Sequence, residues 1–81
     1  MTVTVRVFAQ FAEMLGGEEF SVELPTSATV ADVVAHMRRS VPNGHLLPTG
    51  PLVAVNLEHV HGNRVLREGD EVALLPPLAG G

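Results

Sequence analysis

With 81 residues, 46% apolar side chains and a net charge of −4, the chain is one small domain with enough apolar material for a core. It has no cysteine, which excludes disulfides, thiolate zinc sites and a thiol nucleophile, and a reducing, cytoplasmic setting is expected. The acidic balance, with three Phe and neither Trp nor Tyr, argues against nucleic-acid binding, and no apolar run reads as a leader or a membrane span.

In residues 2–9, Val3, Val5 and Val7 alternate with Thr4, Arg6 and Phe8, the period-two pattern of a central strand. A short helical turn is expected at residues 11–15, closed by Gly16-Gly17. Phe20, Val22 and Leu24 then alternate with Ser21 and Glu23 as a second strand, joined to the first as a hairpin through the two glycines and ended by Pro25. Thr29-Val30-Ala31-Asp32 reads as an N-cap with an acid three residues on, and Val30, Val33, Val34, Met37 and Val41 recur at helical spacing. Pro42 stops this main helix. Residues 42–51 hold three prolines and two glycines and read as a loop. Residues 52–56, a shorter piece at 58–61, and Glu71–Leu75 supply the remaining strands.

The order β-β-α-β-(β)-β predicts an α+β roll, a mixed sheet with one main helix packed on one face, over residues 1–75. Val3, Val5, Val7, Phe20, Val22, Leu24, Val53, Val55, Val60, Val72 and Leu74 are assigned to the helix side. Phe8, His59, Ala73 and Leu75 then fall on the side that a single helix cannot cover. Phe8 and Leu75, beside the end of the last strand, form a candidate docking surface.

Residues 76–81 read as an extended tail. Pro76-Pro77 fixes φ at two successive positions and favours polyproline II, so the base points away from the domain. From Pro76 the remaining six residues, at roughly 3.3 Å each, reach about 20 Å. Leu78 and Ala79 continue the tail, and the absent Cβ atoms of Gly80 and Gly81 let its tip pass a narrow channel. The Gly81 carboxylate is therefore the candidate reactive group. All five basic residues are Arg, so the chain offers no lysine amine to compete for an activated carboxyl.

Other constellations carry less chemistry. His59 and His61 share one face of a strand, a spacing that holds a metal only with a third ligand from elsewhere, and they read as a solvated edge. His36 and His45 have no convincing partners. Glu18-Glu19 and Glu68-Gly69-Asp70-Glu71 read as solvated charge at turns. The glycines form neither a dinucleotide fingerprint nor a phosphate loop, so no bound cofactor and no self-contained active site are expected.

Val7-Phe8-Ala9-Gln10, Ala54-Val55-Asn56, Gly69-Asp70-Glu71-Val72-Ala73 and Pro76-Pro77-Leu78-Ala79-Gly80-Gly81 together resemble the MoaD family, the small subunits of molybdopterin synthase. The resemblance spans nearly the whole chain and is most specific where the last strand runs into Pro-Pro-x-x-Gly-Gly. The related thiamine-pathway carriers share Gly-Gly but usually lack Pro-Pro and are shorter. The resemblance implies a ubiquitin-like β-grasp fold and a sulfur-carrying subunit that is not catalytic on its own. A MoeB-like, ubiquitin-activator-like enzyme would adenylate the terminal carboxylate with ATP, and a persulfide-derived sulfur would displace AMP to leave a thiocarboxylate on Gly81.

The tail would then enter the large subunit, MoaE, in a heterotetramer of two small and two large subunits, and give its sulfur to cyclic pyranopterin monophosphate. Gly81 would be the reacting residue and Gly80 would give clearance. Phe8, His59, Leu75, Pro76, Pro77, Leu78 and Ala79 would contact the partner. His59 stands where the family more often has an apolar residue, so docking is expected to weaken when His59 is protonated. The alternatives are a carrier for thiamine or tRNA thiolation, a protein modifier joined to target lysines, and an interaction domain with an inert tail.

Overall fold

The computed structural model describes residues 1–77; the expectations for Leu78, Ala79, Gly80 and Gly81 lie outside the described residues. Five strands form one mixed sheet: β1 (Thr2–Val7), β2 (Glu19–Glu23), β3 (Leu52–Val55), β4 (Glu58–Val60) and β5 (Glu71–Leu75). Their spatial order is β2-β1-β5-β3-β4. β1 and β5 run parallel, and the other neighbours pair antiparallel. Two helices, α1 (Ala9–Leu15) and α2 (Val30–Ser40), and a 3₁₀ turn at Gly44–Leu46 complete the order.

Alternation on β1 sends Val3, Val5 and Val7 into the core, where they meet Val22, Val72, Leu74, Val53 and Val55 of the neighbouring strands. Val30, Val33, Val34 and Met37 of α2 close over this layer. Burying each of these side chains stabilises by about 1.5–3 kcal/mol relative to exposure. Phe20 and Val60 face the same way but are only partly buried, because β2 and β4 are the sheet's edges.

A capping box starts α2. The Asp32 N–H donates to Thr29 Oγ1 at 3.3 Å and the Thr29 N–H donates to Asp32 Oδ2 at 2.8 Å. The helix ends at Ser40. Val41 is its half-buried C-cap, extended at ψ 135° as the residue before Pro42 must be.

Four expectations need correction. β1 ends at Val7, and Phe8 is the extended N-cap of α1 rather than a strand residue. The expected helical turn is a seven-residue helix that buries Phe11 and Leu15 on one side and ends with Gly16 left-handed at φ +74°. β1 and β2 pair as expected, but this helix, not the two glycines alone, joins them. Asp70, read as solvated charge, is buried at 8% exposure. Among the described residues no helix is long and apolar enough to cross a membrane.

Candidate docking face

The face of the sheet turned away from α2 is the one with chemistry to offer a partner. Register fixes its rows. Glu19 pairs with Arg6, Arg6 with Ala73, Ala73 with Ala54, and Ala54 with His59. In the next row Leu75 pairs with Leu52, and one residue past Val7, which pairs with Leu74, the chain reaches Phe8. Phe8 is 42% exposed and Leu52 39%, while Leu75, Ala73 and Ala54 are half-buried. The result is an apolar band across the sheet, bordered by the exposed Arg6–Glu71 ion pair at 3.8 Å. Such a pair in water contributes little to stability, so its side chains are free to turn to a partner.

The tail root rises from this band. β5 is the middle of the five strands, and it leads directly from Leu75 into half-buried Pro76 and exposed Pro77. Pro77 therefore stands past the C-terminal end of the sheet's middle strand, at one edge of the open face. Sequence reasoning placed Phe8, His59, Ala73 and Leu75 on this side, and the pairing puts Ala73, Leu75 and His59 there, with Phe8 one residue past β1. Sequence reasoning missed Leu52 and Ala54, although both follow from strand alternation with Val53 and Val55.

His59 and His61 are both exposed, with ring centroids 5.9 Å apart in an edge-to-face arrangement. Among the described residues no three His, Asp or Glu side chains converge in a way that would hold a metal. A groove of about 360 Å³ runs between α2 and the β3–β4 hairpin, lined by Val30, Val34, Val53, Val60 and the two histidines. Its lining is largely aliphatic and offers little to orient a charged metabolite.

Asp70 and Asn56 form a polar lock at the other end of β5. Asp70 Oδ2 accepts from the Arg67 N–H at 2.8 Å, and its Oδ1 accepts from Asn56 Nδ2 at 3.0 Å. Asn56 Oδ1 in turn accepts from the Glu71 N–H at 3.0 Å. These bonds satisfy a buried carboxylate and tie the β3–β4 turn to the start of β5.

The model of the ThiS family matches residues 5–81. The chain belongs to the ThiS family. Among curated relatives, the molybdopterin synthase sulfur carrier subunit of Chlamydomonas reinhardtii is 34% identical over 83 residues, covering 100% of both chains. Small archaeal modifier protein 3 of Haloferax volcanii is 29% identical over 92 residues, also covering 100% of both. Among solved structures, SAMP1 from Haloferax volcanii aligns with a TM-score of 0.87 at 27% identity, covering 100% of each chain. The fold of this ThiS-family chain is the ubiquitin-like β-grasp, and α1 is a second helix beside its main one.

Proposed function

We propose that this ThiS-family chain is the sulfur carrier of molybdopterin synthase, a non-catalytic cytoplasmic subunit whose Gly81 carries the sulfur. A carboxylate is anionic and resonance-stabilised, so it must first be activated. On a ubiquitin-activator-like enzyme the carboxylate takes AMP from ATP with loss of pyrophosphate, a sulfide-level sulfur nucleophile displaces AMP, and Gly81 becomes a thiocarboxylate. The tail delivers that sulfur to cyclic pyranopterin monophosphate inside the large subunit, which supplies the acids, bases and phosphate-binding groups. Two small and two large subunits make the working assembly.

The observation that carries this reading is the placement of the tail root. Pro76 leaves the central strand next to the Leu75–Leu52 pair, with Phe8 one residue past the neighbouring β1, so docking of the open face and insertion of the tail would be one event. The 34% identity to a sulfur carrier subunit over the whole chain supports molybdopterin over other sulfur acceptors. Removing Gly80 and Gly81 is expected to abolish sulfur transfer and leave the melting temperature unchanged, because two terminal glycines bring no side chain to a core. Transfer that survives the deletion, or a clear fall in melting temperature, would contradict the reading.

A second reading is a protein modifier, favoured by the 29% identity to Small archaeal modifier protein 3. It uses the same activated Gly81 but ends in an isopeptide bond. Gly-Gly remnants on lysines of other proteins, found after affinity purification and digestion, would establish it.

A further inference from the structure

Leu57 is 93% exposed, the most open of the large apolar side chains among the described residues. It occupies a position that disfavours leucine. Val55 pairs with Glu58, so Asn56 and Leu57 alone make the β3–β4 turn, with φ of +50° and +72°. Two positive φ values mark the type I′ turn, whose second place favours glycine. A leucine there is strained, because its Cβ crowds its own carbonyl in the left-handed region. Burial does not offset the strain, since the side chain is almost wholly in water. Strain held at a surface position without a folding reason points to a role in binding.

The mount is rigid. The Asn56 N–H donates to the Glu71 carbonyl at 2.8 Å, in addition to the two side-chain bonds that join Asn56 to Glu71 and buried Asp70. An apolar side chain on a tied-down turn spares the partner the cost of ordering the backbone that carries it, which is the economy of a pre-organised anchor. Leu57 is flanked by exposed Glu58 and by Glu71, whose carboxylate is shared with Arg6 at 3.8 Å.

We infer that Leu57 is an anchor for the protein that receives the tail, entering an apolar pocket with a basic rim on that partner. This rests on the proposed function and extends its footprint. Leu57 lines one shallow depression with Asn56 and Glu71, and Glu71 shares the strand parity of Ala73 and Leu75, so Leu57 borders the open face. From Glu71, beside Asn56, four residues of β5 at roughly 3.3 Å each lead to Leu75, about 13 Å away. A standard interface of about 800 Å² per partner is roughly 30 Å across, wide enough to cover anchor and tail root together. The acidic flanks and the net charge of −4 set the sign of the rim.

The test is calorimetric titration of the full-length chain into the large subunit of molybdopterin synthase, comparing wild type, Leu57→Gly, Leu57→Asn and Phe8→Ala. Both Leu57 variants suit the turn, so their free melting temperatures are expected to stay level or rise by a few degrees, while affinity falls about tenfold. Unchanged affinity, or a melting temperature that falls in both variants, overturns the anchor while leaving the functional reading intact. Wild-type chain that does not bind the large subunit overturns the functional reading and this partner with it. Concentration-dependent dimers of the wild type that Leu57→Gly dissolves would assign Leu57 to self-association and also overturn the inference.

Discussion

His59 stands across from Ala54 at the edge of the open face, with His61 beside it and the Arg6–Glu19 pair at the far end of its row. An apolar side chain there would extend the apolar band; an imidazole would make a partner contact there conditional. Imidazoles ordinarily change charge between pH 5 and 8, and a protonated one would have to shed water at an apolar interface. The sign follows: partner affinity is expected to be weaker at pH 5.5 than at pH 8. His59→Ala should flatten that dependence, and His61→Ala should largely keep it. A pH dependence of equal size in His59→Ala would show that other groups cause it.

Element boundaries here rest on a few side-chain and backbone contacts. Thr29→Ala removes the reciprocal cap of α2 and is expected to cost about 1 kcal/mol, a fall in melting temperature of roughly 4–8 °C. Gly44 is buried where the chain returns from α2, and a Cβ there would collide with the Met37 carbonyl oxygen. Gly44→Ala should therefore destabilise more, by about 1–3 kcal/mol, in a chemical denaturation experiment. Neither variant should alter sulfur transfer at temperatures where it stays folded, because both sites lie off the open face.

These contacts also explain what the sequence could disclose. Alternation at Val3, Val5 and Val7 and the cap at Thr29 are local signals, and both strand and helix followed from them. The α1 helix was harder to read because Phe11 and Leu15 are its only buried positions, too few to display a period. The Asn56–Asp70 lock joins residues 14 apart, so Asp70 looked like another solvated acid until the fold brought Asn56 to it. Leu57 was silent for the opposite reason: its side chain contradicts its backbone, and local propensity argues against the turn it occupies. On the open face, parity with Val53 and Val55 already puts Leu52 and Ala54 there; what only the β3–β5 register shows is that they stand beside Leu75 and Ala73.

At the scale of the molecule, a single layer of sheet does two jobs. One face takes α2 and supplies the core; the other stays open, and the central strand β5 leads into Pro76 and Pro77. Under the proposed function, that arrangement would let a domain with no thiol of its own carry a reactive group, with the chemistry at Gly81 and the recognition on the sheet. The most direct test is the intact mass of the chain after incubation with ATP, the cognate activating enzyme and a sulfur donor, then again after adding the large subunit and cyclic pyranopterin monophosphate. The expected result is a gain of about 16 Da, oxygen replaced by sulfur at the acyl carbon, which is lost when the pterin is supplied. No gain, or a gain that persists in the presence of the large subunit and pterin, would contradict a sulfur carrier for molybdopterin.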